Sequence, residues 1–227
     1  MIKIYPCTVI ANTKLFKWLE QGKYKPYSNK KLVEILKKLK ASLPYYVRIS
    51  RLIRDIPSPH IKAGNKLTNL RQVIQTEMHK EGNRCKCLRC REIGHNKNLT
   101  NLSKPKLFID EYDTIGGKEY FISFEDNKRQ IVFGFCRLRV CSINSVGPFT
   151  SYIRELHTYG QLVGIGQKQN KATQHKGWGK KLVKTAEKIC KQQKVPKLAV
   201  ISGVGVRSYY RKLGYRLEQG YMTKKLK

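Results

Sequence analysis

Apolar residues at Leu32, Ile35, Leu36, Leu39 and Leu43 repeat at the spacing of one helix face, with Lys30, Lys31, Lys37, Lys38 and Lys40 mostly on the other. Pro44 cannot extend that helix and closes it. Tyr46 to Ile49 then reads as a short strand. Asn69 to Lys80 repeats the helical pattern through Leu70, Val73, Ile74 and Met78. Residues 81–104 break the pattern with Gly, Asn, Lys and Cys and few large apolar groups, which predicts a linker between residues 1–80 and 105–227. Beyond it the period shortens. Phe108 to Tyr112, Glu119 to Glu125, Ile131 to Val140 and Ser151 to Leu162 carry β-branched and aromatic residues, separated early on by Gly116-Gly117 and Asp126-Asn127. A helix follows over Lys180 to Gln193, then an apolar strand Leu198 to Ser202, a short helix Val206 to Leu213 and a last strand Tyr215 to Lys224. Strands and helices mixed in this order predict an α/β protein.

Charge adds a partner to this picture. Lys and Arg total 47 against 15 Asp and Glu, a net charge of +32. Residues 1–95 hold 21 basic and 6 acidic side chains, and the remainder 26 and 9, so no single tail carries the excess. A body this positive throughout fits a polyanion, most simply a nucleic acid. It also disfavours cationic Lys-rich peptides as substrates. No run approaches the ~18–20 apolar residues needed to span a bilayer, and the N-terminus lacks an apolar segment followed by a small-residue cleavage site. The expectation is a soluble, cytoplasmic protein with no membrane partner.

Three of the 7 cysteines form Cys85-Lys-Cys87-Leu-Arg-Cys90, a C-x-C-x-x-C run in a polar stretch. Thiolates this close can share one tetrahedral Zn²⁺, with a nitrogen as fourth ligand. His95 is nearest in sequence, and His79 and His60 are alternatives. A closed site of this kind would staple a segment too polar to build its own core. The spacing is not the C-x-x-x-C-x-x-C of radical S-adenosylmethionine enzymes, and that motif occurs nowhere in the chain. No [4Fe–4S] cluster is expected here.

Gln174-His-Lys-Gly-Trp-Gly179 opens the helix predicted from Lys180. Glycines let an anion approach the backbone, and the first N–H groups of a helix have no intrahelical partner. Both favour a pyrophosphate at that end. This arrangement resembles the way GNAT-type acyltransferases hold acetyl-CoA. Gln174, His175, Gly177, Trp178, Gly179 and Lys180 are then the candidate cofactor contacts. In such a fold the preceding strand splays from its neighbour and pairs with the pantetheine arm, which points to Glu155, Leu156, His157 and Thr158. Glu155 is a candidate base toward an amine, or a carboxylate neutralised by nearby cations. Tyr209 and Tyr210 lie on the short helix aimed at the thioester, and a phenol there can protonate the departing thiolate. Tyr210 is the favoured member.

Arg154-Glu-Leu-His-Thr-Tyr-Gly160, Gln174-His-Lys-Gly-Trp-Gly179, Ala199-Val-Ile-Ser-Gly-Val-Gly-Val-Arg207 and Tyr209-Tyr-Arg-Lys-Leu-Gly-Tyr215 together resemble the acetyltransferase domain of the catalytic subunit of Elongator, which modifies the wobble uridine of tRNA. Lys3-Ile-Tyr-Pro6, Arg54-Asp-Ile-Pro57, Asn69-Leu-Arg-Gln72 and Arg91-Glu-Ile-Gly94 extend the likeness upstream. The resemblance implies a GNAT fold, a mixed central sheet flanked by helices, after a small α/β remnant of a radical S-adenosylmethionine partial barrel. It also implies acetyl-CoA and tRNA binding, tRNA-stimulated breakdown of acetyl-CoA, and zinc near the domain junction. Radical chemistry would need a partner in trans, and Elongator-like subunits are further candidate partners. For the tRNA surface the sequence offers Arg48, Arg51, Arg54, Lys62, Lys86, Arg89 and Arg91. Two alternatives stand beside the enzyme reading. One is an idle module that binds tRNA and acetyl-CoA. The other is a protein lysine acetyltransferase.

Overall fold

The computed structural model describes residues 1–95, 104–142, 148–159 and 177–226. It divides into two compact units, Met1–Arg91 and Glu92–Lys227.

In the first unit, β1 (Ile2–Lys3) pairs in parallel with β3 (Ile49–Arg51), and β2 (Thr8–Ile10) pairs antiparallel with β4 (Ile61–Gly64). Helices α1 (Lys14–Glu20) and α2 (Asn29–Ser42) are each capped by a hydroxyl, Thr13 accepting from the Phe16 N–H and Ser28 from the Lys31 N–H. Helix α3 (Leu70–Lys80) and a single turn, α4 (Leu88–Arg91), complete the unit. Leu32, Leu36, Ile49, Leu52, Leu70, Ile74, Met78 and Cys87 form its core. Truncating a fully buried member such as Ile74 to alanine removes about 2–5 kcal/mol.

The predicted stripe of α2 is corrected in one respect. Leu32, Leu36 and Lys40 are the buried residues, and Ile35 is exposed. Positions four apart stack on one ridge, so Lys40 follows Leu32 and Leu36 inward. The strand expected over Tyr46–Ile49 also moves. The Val47 N–H bonds to the Pro44 carbonyl in a turn, so the strand begins only at Ile49.

The second unit is built on a mixed sheet of 7 strands, β5 (Lys106–Thr114), β6 (Gly117–Glu125), β7 (Val132–Cys141), β8 (Ser151–Thr158), β9 (Lys197–Val200), β10 (Arg216–Glu218) and β11 (Tyr221–Lys225). Its spatial order is β10-β11-β9-β8-β7-β6-β5, and all pairs are antiparallel except β8–β9. The predicted last strand is two. Gln219 and Gly220 both take positive φ (49° and 82°) and join Glu218 to Tyr221 in a two-residue hairpin turn.

Helix α5 (Trp178–Gln192) covers one face of the sheet, burying Leu182, Val183, Ala186 and Ile189 against Tyr120, Ile122, Cys136, Leu138 and Ile153. Helix α6 (Arg207–Arg211) follows β9 and places Tyr210 in the same core. Among the described residues no helix is long and apolar enough to cross a membrane.

Candidate functional site

Two irregularities open the sheet at β8. Opposite β7, Arg137 faces Glu155 but Leu138 faces Ile153, so Arg154 is an extra, bulged residue that bends the strand. On the other side, β8 pairs with β9 only through Tyr152–Ala199 and Ile153–Val200, followed by a bond from the Ile201 N–H to the Ile153 carbonyl. Among the described residues the two strands part beyond that point. Next to this splay lies a cavity of about 310 Å³ lined by Leu156, Thr158, Gly177, Gly179, Lys180, Val206, Tyr209 and Tyr210.

The glycines at the start of α5 shape one wall. Gly177 caps the helix in the left-handed region (φ 70°), which a side chain adopts only at a cost. A Cβ on Gly179 would stand 2.9 Å from the Tyr209 phenol oxygen and 3.7 Å from a Thr158 methyl. The backbone therefore sits close to both neighbours, and the first free N–H groups of α5 lie beside the cavity. Trp178 points the other way, its ring 4.5 Å from Phe124 and under the Lys181 ammonium. Lys180 is exposed at the same helix end. Gln174 and His175 lie outside the described residues.

The strand alternation sorts the β8 candidates. Leu156 and Thr158 line the cavity. Glu155 and His157 lie at the alternate positions, on the opposite face of the sheet, because side chains in a strand alternate with period two. The His157 ring packs 5.1 Å from Phe135 and stacks on Tyr159. Glu155 stands 3.8 Å from Arg137. The structure thus does not bring Glu155 or the His157 ring to the cavity. It favours the reading of Glu155 as a carboxylate neutralised by a cation over that of a base.

Both tyrosines of α6 reach the cavity wall. Their rings meet edge to face at 5.1 Å, and Tyr210 packs likewise on Tyr215 at 5.8 Å. Burial raises both phenols above their ordinary pKa, Tyr210 more strongly. Each therefore stays protonated at neutral pH. The Tyr209 hydroxyl is buried with no hydrogen-bond partner among the described residues, as are Trp178 Nε1, Ser202 Oγ and Arg207 Nε. A buried polar atom without a partner is costly. The Tyr209 hydroxyl is thus an unused donor buried in the cavity wall, between α6 and the first turn of α5. Val206 belongs to the same wall, and only tertiary packing identifies it.

The opposite face of the sheet carries a second polar cluster. Glu119 accepts hydrogen bonds from the Tyr112 hydroxyl (2.7 Å) and from Arg154, with Arg139 3.6 Å away, and Arg137 donates to the Tyr112 oxygen at 2.7 Å. Glu119 is almost wholly buried. It ties the bulged Arg154 of β8 to β6.

In the first unit the three sulfurs of Cys85, Cys87 and Cys90 lie within 4.8 Å of one another. Hydrogen bonds shared with Cys85 and Cys90 drive the Cys87 thiol far below its ordinary pKa, and the bond with Cys87 pushes Cys85 up. The Ile49 N–H donates to Cys87 Sγ at 3.1 Å and the Cys87 N–H to Cys85 Sγ at 3.4 Å. Sulfurs this close, already receiving donors, fit a soft divalent ion. Among the described residues His60 and His79 do not join the group, and both are exposed on other elements. The side chain of His95 lies outside the described residues.

The expected tRNA-facing cations divide. Arg51 is exposed and paired with Asp55, Arg54 is exposed over the Tyr5 ring, and Lys62 and Lys86 are exposed. Arg48 and Arg89 are half-buried. Arg91 is a correction. It is 2 % exposed, donates to the Lys86 and Tyr45 carbonyls and stacks on the Tyr45 ring. Its donors are spent inside the fold, so it is not a surface cation.

A bulged strand that splays from its parallel neighbour, a glycine-opened helix beside the gap and a tyrosine-bearing helix across it define the GNAT acyltransferase fold. Residues 1–80 match the Radical_SAM C-terminal domain family. The whole chain is 41 % identical to a tRNA uridine(34) acetyltransferase of Methanocaldococcus jannaschii, covering 43 % of that protein. It is 39 % identical to Elongator complex protein 3 of Homo sapiens, again over 100 % of this chain and 43 % of the relative. The solved structure of the archaeal Methanocaldococcus infernus Elp3 lacking residues 1–46 superposes with a TM-score of 0.87 at 40 % identity, covering 100 % of this chain and 55 % of that one. Over its full length, then, the chain is similar to part of each of these proteins. It spans less than half the length of these two curated relatives.

Proposed function

We propose that this chain supplies the acetyl-CoA-binding acetyltransferase portion of a tRNA wobble-uridine-modifying enzyme, with acetyl-CoA breakdown stimulated by tRNA. The observation that carries the reading is the cavity at the β8–β9 splay, with Gly179 closed against Tyr209 on one side and Tyr210 on the other. In this reading the N–H groups at the start of α5 bind the pyrophosphate, with Lys180 adding a positive charge. Acetyl-CoA supplies the activated acyl group. In the breakdown reaction water takes the acetyl group as acetate, and Tyr210, held protonated by burial, donates its proton to the departing sulfur and regains one from that water, while the Tyr209 hydroxyl orients the thioester. Arg51, Arg54, Lys62 and Lys86, with Arg48 and Arg89, form the tRNA-facing cations, where phosphate contacts position the nucleic acid without reading its bases. Cys85, Cys87 and Cys90 hold zinc as a structural staple.

Two measurements test this. Acetyl-CoA turnover is assayed with and without tRNA, and the reading requires turnover that rises with tRNA. Absence of turnover while both ligands still bind would leave only a binding module. Binding of tRNA is titrated against salt. Replacing Arg51 and Arg54 together by alanine lowers the log–log slope by about 2, one for each lost phosphate contact.

A further inference from the structure

Lys40 is wholly buried (0 % exposed), although it lies on the lysine-rich helix α2. Its Nζ stands 3.6 Å from Cys90 Sγ. No carboxylate among the described residues pairs with it. Arg71, on α3, reaches the same sulfur through Nη1 at 3.7 Å. Its Nη2 donates to the Ile49 carbonyl at 2.9 Å and the Ser50 carbonyl at 3.4 Å, which fixes the guanidinium in place. Two cations from two different helices therefore converge on one sulfur.

A buried ammonium demands an anion, and a neutral thiol is only a weak acceptor. The donors are also unevenly shared. Cys85 and Cys87 each receive a backbone N–H, whereas Cys90 receives the two charged groups. Three thiolates around a divalent ion leave a net charge of about −1 before any fourth ligand is counted. In a buried site that charge is costly unless cations lie against it.

We propose that Lys40 and Arg71 are positioning residues of the metal centre. They stabilise the negative charge on ligated Cys90 and so set how tightly the three-sulfur site holds its ion. The inference rests on the zinc reading above. It adds a charge pair that the cysteine spacing does not announce, since Lys40 reads as one more surface lysine.

The test uses the full chain. Zinc affinity is measured by competition with a chromophoric chelator, and cobalt is substituted to read the thiolate-to-metal charge-transfer band. Lys40→Met keeps the length of the side chain without its charge, and Lys40→Arg keeps the charge. The expected result is a loss of at least about tenfold in zinc affinity for Lys40→Met and for Arg71→Gln, with Lys40→Arg recovering most of it. Thermal melts separate this from a merely structural contribution. Without metal, Lys40→Met melts no lower than the parent, because a buried charge has been removed, while the stabilisation gained on adding zinc shrinks. A mutant whose metal-free and zinc-loaded forms fall by the same amount would overturn the proposal. So would zinc affinities within twofold of the parent for both Lys40→Met and Arg71→Gln. If Lys40→Met does not fold, Arg71→Gln decides by the same criteria. A parent protein that binds neither zinc nor cobalt refutes the zinc reading itself, a result distinct from either of these.

Discussion

The phenol oxygen of Tyr209 lies 2.9 Å from where a Cβ on Gly179 would stand, so the first turn of α5 and helix α6 meet with no room for a methyl group. That contact shapes the wall of the cavity. Gly179→Ala forces the phenol aside and narrows the site, although alanine favours the helix itself by about 0.5–1 kcal/mol. The expected outcome is acetyl-CoA binding weakened by roughly tenfold, about 1.4 kcal/mol, with an unchanged or slightly raised melting temperature. Calorimetric titration and thermal denaturation read the two effects.

Tyr210→Phe retains the ring that packs on Tyr209 and Tyr215 and removes only the proton donor. Turnover of acetyl-CoA in the presence of tRNA should fall by about 10²–10⁴-fold, with little change in acetyl-CoA affinity. Tyr209→Phe should weaken affinity more than turnover. Equal turnover in parent and Tyr210→Phe would remove Tyr210 from the proposed chemistry.

The same phenols govern stability at high pH. Burial raises Tyr210 and Tyr215 above the ordinary value of about 10, and burial together with Glu119 pushes Tyr112 up to about 12. A phenol with a raised folded-state pKa binds its proton more tightly in the folded chain. Its contribution is fully present below pH ~10 and is lost as pH rises through the folded value. Chemical denaturation between pH 8 and 11.5 should show stability declining above pH ~10. Tyr210→Phe should flatten that slope.

Glu119 is the mirror case. Burial works against its charge, but hydrogen bonds from Tyr112 and Arg154 outweigh it and hold the carboxyl below the ordinary carboxylate range. Its contribution is present above pH ~4.3 and is lost as pH falls through the lowered value. Glu119→Gln takes the counter-charge from Arg154 and Arg139, both of which reach solvent, and should cost about 1–3 kcal/mol in urea denaturation at pH 7. Retention of full stability would show that the cluster is dispensable.

Metal removal should act on one unit. Cys87 is part of the first unit's core and accepts the Ile49 N–H, so losing an ion from the triad loosens β3 and the residues packed around it. Hydrogen exchange after chelation should accelerate in β3, α2 and α3. Strands β6 and β7 of the second unit should keep their protection. Cys87→Ser should reproduce the pattern without chelator.

The sequence by itself determined the long elements and the chemistry they carry. Periodicity placed α2, α3 and α5 and most strands of the large sheet within a few residues, because a helix or strand that buries one face must repeat its apolar residues at 3.6 or 2. Spacing alone singled out the cysteine triad and the glycines of α5. What only the tertiary structure decided was direction and closure. The one-residue bulge at Arg154 and the early end of β8–β9 pairing fix which β8 side chains meet the cavity, and they turn Glu155 toward Arg137. Four-residue stacking on α2 turned Lys40 inward onto Cys90, and the α4 turn buried Arg91. The last strand became a hairpin because Gln219 and Gly220 both take positive φ, a turn that Gln-Gly signals more weakly than Asn-Gly. Apart from that turn, each of these depends on a partner distant in sequence. A local pattern records which face of an element is apolar, but not which neighbour will meet it.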